Sequence, residues 1–116
     1  MHKCVPEDDH LFEQVLPLFN AMGDVTRQSI ILLLTQYEHL SVKELTTHTS
    51  LSRPAISHHI KILRDAGLID EQRDGVKRYY SPNFTRYIDP MKQIIEKIEE
   101  WEKLGMHTKQ GDDNGK

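Results

Sequence analysis

Apolar residues recur at intervals of three and four through most of the chain, which is the spacing of one face of an α-helix. Their positions predict helices at about residues 9–22, 25–36, 42–48, 53–66 and 85–104. Asp24 and Ser52 favour helix starts, because their side-chain oxygens accept hydrogen bonds from free backbone N–H groups. Gly23 and Gly67 favour helix ends. Pro17 interrupts the first pattern, so this segment forms either one kinked helix or two shorter ones.

The pattern changes after the fourth helix and predicts a β-hairpin. Two short runs rich in Ile and Tyr, Leu68–Glu71 and Lys77–Ser81, flank Asp74-Gly75, a pair that favours a tight turn. The predicted order is ααααββα, a mostly α fold with a small β-hairpin (α+β). The third and fourth helices are joined by a short turn, which indicates a helix-turn-helix.

The periodic region predicts one domain at residues 9–104. Residues 1–8 are expected to be flexible, and residues 105–116 are expected to form a disordered tail because they hold three glycines and one apolar residue. No apolar run approaches the roughly 20 residues of a membrane helix, and the first residues lack the apolar stretch of a signal peptide. We therefore expect a cytoplasmic protein with no membrane partner.

The helix predicted at 53–66 has two different faces. Ile56, Ile60 and Leu63 share one of them. The other face carries short hydrogen-bonding side chains first and basic ones further along: Arg53, Pro54, Ser57, His58, Lys61 and Arg64. A helix that reads the major groove needs this order, because its first turn approaches base edges while Lys and Arg meet phosphates. The alternative is an ordinary amphipathic helix with a solvated outer face.

The charge distribution favours the DNA-binding alternative. The net charge of −3 argues weakly against a nucleic-acid partner, but residues 1–40 carry −4 and residues 52–86 carry +3. Three cations of the predicted hairpin, Arg73, Lys77 and Arg78, would let it straddle a phosphate backbone. A basic middle between acidic ends suits a protein that offers one face to double-stranded DNA.

Three segments resemble, in the same order, motifs of the ArsR-type winged helix-turn-helix transcriptional repressors. Leu18–Leu34 (LFNAMGDVTRQSIILLL) is similar to the helix-GD-x-TR-helix opening, Leu51–Ile69 to the recognition helix, and Arg73–Ser81 to the wing. The resemblance covers about residues 11–104 without large insertions. It implies a sequence-specific DNA-binding regulator that acts as a homodimeric repressor on an inverted-repeat operator.

The resemblance also implies roles for individual residues. Arg53, Ser57 and His58 would contact bases or the adjacent backbone, while Lys61, Arg64 and the cations of the wing would hold phosphate. The first and last helices would form the dimer interface, and the apolar stripe of the last helix is too long for so small a core. The expected interface residues are Leu11, Phe12, Val15, Ile88, Met91, Ile95, Ile98 and Trp101. The alternative is that both helices fold back onto their own domain.

Many members of this family sense metals or metalloids, but the matching positions here lack the ligands. Ser41 and Lys43 stand where one type of site has cysteines. In the last-helix site, Asp89 matches the first ligand, whereas Met91 and Gly105 cannot replace theirs. The remaining candidate is a terminal cluster of His2, Cys4, His10 and His107. We therefore expect no metal and no cofactor, and the inducer stays open.

Two other functional classes compete with a DNA-binding regulator. An enzyme is not expected, because the chain has no Gly-rich phosphate loop, nucleophile elbow or paired carboxylates. A winged-helix protein–protein adaptor without specific DNA binding is the stronger alternative. An adaptor would not need basic side chains clustered on adjoining elements.

Overall fold

The computed structural model describes residues 9–105, and its elements follow the predicted order ααααββα. Pro17 lies inside a continuous first helix, so two shorter helices do not form there. The elements are α1 (Asp9–Met22), α2 (Val25–Tyr37), α3 (Val42–His48), α4 (Arg53–Asp65), β1 (Ile69–Asp74), β2 (Lys77–Pro82) and α5 (Thr85–Lys103). None of the helices described has the length and apolar character that crossing a membrane requires.

Side-chain caps set the starts of α3 and α4. Ser41 and Glu44 form a reciprocal capping box: the Glu44 N–H donates to Ser41 Oγ at 3.1 Å, and the Ser41 N–H donates to Glu44 Oε1 at 2.9 Å. Ser52 Oγ accepts from the Ala55 N–H at 3.3 Å, with Pro54 in the first turn of α4. These caps satisfy backbone donors that the helix itself leaves free, and so they define where each helix begins.

The hairpin turns one residue later than the sequence predicted. Asp74 pairs with Lys77, so the two-residue loop is Gly75-Val76 rather than Asp74-Gly75. Gly75 has a φ of 66°, the conformation that a type II′ turn requires at its first central position. The longer strands place Arg73 directly opposite Arg78.

The described residues form two compact units. The winged unit comprises residues 16–86, and the terminal unit comprises residues 9–15 and 87–105. The core of the winged unit is formed by side chains with no exposed surface: Ile30, Leu34, Leu45, Ile56, Leu63 and Leu68. Leu40 and Tyr80 exchange two backbone hydrogen bonds, of 3.0 and 2.8 Å, which attach the hairpin to the segment that leads into α3.

The terminal unit buries only part of its apolar surface. Val15, Tyr87 and Ile94 are buried. Val15 was predicted to face a second copy of the chain, but it is fully buried within one chain, has no surface to offer to a partner and belongs to the core. Several large apolar side chains stay exposed in this unit: Phe12, Ile88, Ile95, Ile98, Trp101 and Leu104.

Replacing Gly67 with Ala is expected to destabilise the winged unit. Gly67 ends α4 with a φ of 76°, a conformation that costs an L-residue about 1–2 kcal/mol, and an added Cβ would meet the Arg86 guanidinium. We expect the free energy of unfolding, measured in urea, to fall by about that amount. Gly67→Asn should lose less, because Asn tolerates the left-handed region. If Gly67→Ala and Gly67→Asn lose the same free energy of unfolding, the loss comes from the contact with Arg86 and not from the backbone conformation.

Candidate nucleic-acid interface

Four of the nine predicted DNA-binding residues line a common groove, whereas Pro54, His58, Lys61, Arg64 and Arg73 are not among its lining residues. Its volume is about 660 Å³, and its walls are α3 with its cap Ser41, the first two turns of α4, and the strand β2 with the turn residue Val76. Arg53, Ser57, Lys77 and Arg78 all line it. Further polar side chains line the groove that were not predicted as DNA contacts: Ser41, Lys43, Glu44, Thr47 and Tyr79.

Helix α4 has the two faces that its sequence pattern predicted. Ile56, Ile60 and Leu63 are buried in the winged unit. The residues predicted to face DNA are all exposed: Arg53, Pro54, Ser57, His58, Lys61 and Arg64. The helix is thus held through one face while the other is available to a partner.

The cations of this surface differ in how far they are neutralised. Arg64 Nη1 lies 2.9 Å from Glu71 Oε1, and Lys61 Nζ lies 2.9 Å from Asp65 Oδ2. Arg53 and Lys77 have no acidic partner within ion-pair distance in residues 9–105, so their full charge is available to a phosphate.

Glu71 neutralises the arginines of the hairpin as well. Its Oε2 lies 3.7 Å from Arg73 Nε and 3.8 Å from Arg78 Nε. Glu71 was not among the site residues predicted from the sequence. The available signal was its spacing of two from Arg73, which puts both side chains on one face of a strand.

A second polar cluster lies on the inner side of α4. Arg27 donates from Nε to the Ala21 carbonyl at 2.7 Å, and its Nη1 lies 3.4 Å from Asp24 Oδ2 and 3.3 Å from His59 Nδ1. Arg27 therefore connects the end of α1, the cap of α2 and the middle of α4. The adjacent His58 is exposed, so the two neighbouring histidines of α4 have different surroundings.

The same cluster shifts the pKa values of two of its members. Burial lowers the pKa of His59, and the positive charges of Arg27 and His58 lower it further, against the opposing effect of Asp24. Burial acts to raise the pKa of Asp24, but the Thr26 and Arg27 N–H groups and the charges of Arg27 and His59 bring it below its ordinary value. Both shifts favour a neutral His59 beside a charged Asp24.

Comparison with known proteins assigns the chain to a family. The profile of the family described as "Bacterial regulatory protein, arsR family" matches residues 24–71. The arsenic resistance transcriptional regulator ArsR1 of Pseudomonas putida is 35% identical over 97 residues, 79% of this chain and 76% of that protein. The chain belongs to the ArsR family. It is a DNA-binding transcriptional regulator of the winged helix-turn-helix type.

Two further proteins are similar to this ArsR-family regulator. The transcriptional repressor SdpR of Bacillus subtilis is 35% identical over 78 residues, 67% of this chain and 86% of that protein. An ArsR-like transcriptional regulator from Rhodococcus sp. RHA1 superposes with a TM-score of 0.73 at 24% identity, over 85% of this chain and 92% of that one. This last likeness supports the fold alone.

The part of the chain that the structure describes contains no group of side chains that could form a metal site. Among residues 9–105, no three His, Cys, Asp or Glu side chains are grouped as metal ligands. His10 is exposed and its Nδ1 lies 3.4 Å from Glu13 Oε1. The other members of the predicted terminal cluster, His2, Cys4 and His107, lie outside the described residues, so that cluster stays a prediction.

The lowered pKa of His59 makes stability depend on pH. The unfolded chain binds this proton more readily than the folded chain, so the contribution of neutral His59 is fully present above the ordinary pKa of 6.5 and is lost as the pH falls through the lower folded value. We expect the free energy of unfolding, measured by urea denaturation, to fall from about pH 7.5 to about pH 5.5.

His59→Asn tests this expectation, because its Oδ1 can still accept from Arg27 but does not titrate in that range. The variant should lose part of the pH dependence, whereas His58→Asn, at an exposed position of the same helix, should keep most of it, because the charge of His58 is the smallest of the causes that shift the pKa of His59. A parent-like pH slope in His59→Asn would contradict the assignment.

Proposed function

We propose that the chain is a homodimeric transcriptional repressor that binds an inverted-repeat operator, with α4 in the major groove and the hairpin on the flanking backbone. The observation that carries this proposal is the shared groove between the exposed face of α4 and the cations of β2. A protruding helix beside a basic hairpin fits the geometry in which one element reads bases and the other holds phosphate.

The proposed roles follow position on α4 and charge. Arg53, Ser57 and His58 lie in its first two turns and would face base edges, with Pro54 keeping that turn narrow. The cations further along and in the hairpin would hold phosphate: Lys61, Arg64, Arg73, Lys77 and Arg78. Lys77, which has no acidic partner in residues 9–105, would bind phosphate with the smallest loss of internal contacts, and Arg53, which also has none there, would reach a base edge without breaking an ion pair.

Dimerisation is proposed from the apolar surface of the terminal unit. Ile95 is 50% exposed, Ile98 43% and Trp101 38%, on the same helix. Phe12 and Ile88 are exposed as well, while Leu11 and Met91 are half-buried. Apolar side chains concentrated in this way mark an interaction site more often than a solvated surface. A two-fold dimer would present two copies of α4 to the two halves of an inverted repeat.

Repression is proposed by analogy with the relative named as the transcriptional repressor SdpR. The signal would differ from that of the relative named for arsenic resistance, because Ser41 and Lys43 offer no thiolate. We propose no enzymatic role and no cofactor. The alternative, a protein–protein adaptor, would use the same surface without preferring one DNA sequence over another.

Binding to DNA is tested by fluorescence anisotropy with the duplex upstream of the protein's own gene and with random duplex. The parent protein should prefer the upstream DNA. Lys77→Ala should weaken binding to both duplexes and make the salt dependence shallower by about one unit.

His58→Ala should weaken mainly the complex with the upstream duplex, by about 1–3 kcal/mol.

Lys92→Ala, an exposed lysine of α5 with no proposed DNA contact, is the control and should match the parent. No preference for the upstream duplex in the parent would favour the adaptor. An unchanged salt dependence in Lys77→Ala would remove the hairpin from the interface.

Ile95→Glu is expected to dissociate the proposed dimer, because it would bury an unpaired charge at the interface. Sedimentation equilibrium should give a mass near twice the 13.5 kDa of the chain for the parent and near 13.5 kDa for the variant. Leu32→Glu replaces an equally apolar side chain of α2 that is 66% exposed, and it should stay dimeric. A monomeric parent, or a dimeric Ile95→Glu variant, would refute the proposed interface.

A further inference from the structure

The carboxylate of Glu71 lies within ion-pair distance of three guanidinium groups that are proposed to bind phosphate. Arg64 Nη1 lies 2.9 Å from Oε1, while Arg73 Nε and Arg78 Nε lie 3.7 and 3.8 Å from Oε2. The Glu71 side chain is 21% exposed, whereas those of the three arginines are 42–65% exposed. The carboxylate is therefore half-buried beneath a layer of accessible cations.

The strand register explains why an acid is needed there. Arg73 and Arg78 are directly opposite each other in the hairpin, and like charges in that arrangement destabilise a strand pair. Glu71 is two residues before Arg73, on the same face of β1, and supplies the opposite charge. Its contact with Arg64 adds a link from the last turn of α4 to the hairpin.

The distances separate two kinds of contact. The Arg64 contact is a hydrogen bond, so Glu71 holds that guanidinium in place. The Arg73 and Arg78 contacts are longer than a hydrogen bond, so the carboxylate attracts these groups without fixing their geometry. A DNA phosphate brings the same negative charge and could offer both arginines shorter, charge-assisted hydrogen bonds.

We propose that Glu71 is an internal competitor of DNA phosphate, which lowers the affinity of the regulator for any DNA backbone. This inference rests on the proposed placement of the hairpin on DNA. In the free protein, the carboxylate neutralises part of the charge that non-specific binding uses. When DNA binds, phosphates displace it from Arg73 and Arg78. The effect is independent of base sequence, because it acts on the backbone contacts alone.

The test is the isosteric variant Glu71→Gln, measured by anisotropy on random duplex and on the upstream duplex at several salt concentrations. Removing one internal anion should tighten binding to both by about three- to tenfold at about 0.1 M salt and steepen the salt dependence by about one unit. The ratio of the two affinities should not change.

Asp70→Asn is the matched control. It removes the same charge from the adjacent position of β1, where Asp70 Oδ2 accepts from Asn83 Nδ2 at 2.9 Å and contacts none of the three arginines. Its affinity should change much less. An equal gain in Asp70→Asn would reduce the effect to net charge and overturn the proposal, as would unchanged or weaker binding by Glu71→Gln.

A thermal melt shows whether each variant is folded. This control is needed because Arg73 and Arg78 repel each other once Glu71 is neutral. If Glu71→Gln unfolds, the comparison is made in the Arg73→Gln background, where that repulsion is absent. A smaller gain in affinity is expected there between the single and the double variant, because Glu71 then competes with phosphate for Arg78 alone, and no gain would overturn the proposal. The parent's preference between the two duplexes reports on the proposed function. The gain in affinity of Glu71→Gln for random duplex reports on Glu71 alone. The proposed function and the role of Glu71 can therefore fail independently.

Discussion

The burial of one face of α4 is the constraint on which the rest of the winged unit depends. Ile56, Ile60 and Leu63 are almost entirely removed from solvent, and full burial of an Ile or Leu side chain contributes about 1.5–3 kcal/mol. The ion pairs on the outer side, such as Lys61 with Asp65, are exposed and contribute about 0–1 kcal/mol each. Apolar packing therefore decides the rotation of α4 about its axis, and that rotation decides which side chains are available to DNA.

The hairpin is held by a different kind of contact. Its attachment to the segment before α3 is the backbone pair of Leu40 and Tyr80, which fixes the base of the strands and leaves Val76 at the tip 99% exposed. The base is therefore set by hydrogen bonds and core residues, whereas the tip depends on the turn alone. This division suits the role proposed for the hairpin, which is to carry charge towards DNA.

The helices and their boundaries could be predicted from the sequence because periodicity and capping are local. Ser41 with Glu44, and Ser52 three residues before Ala55, have geometry that depends on nearby backbone only. The two residues that form the hairpin loop could not be identified from the sequence, because Asp74-Gly75 and Gly75-Val76 are both acceptable turn pairs. The strand pairing selects between them. That one-residue difference decides whether Arg73 faces Arg78, and so the role of Glu71 was not predictable before the register was known.

Two other features also needed the tertiary structure. An apolar stripe on a helix does not say which side chains meet the chain's own core, and for that reason Val15 was assigned to an interface. Likewise, the adjacency of His58 and His59 predicts that they diverge, but it does not predict that Arg27, 32 residues from His59 in sequence, contacts one of them.

The outer face of the first two turns of α4 contributes little to holding the helix in place. Within residues 9–105, the side chains of Arg53, Ser57 and His58 take part in none of the hydrogen bonds or ion pairs, whereas α4 is held by Ile56, His59, Ile60 and Leu63. Substitutions on that face consequently carry little penalty in stability. If these side chains read bases as proposed, a duplicated copy of the gene could change its DNA sequence preference by altering these positions while the scaffold stays intact.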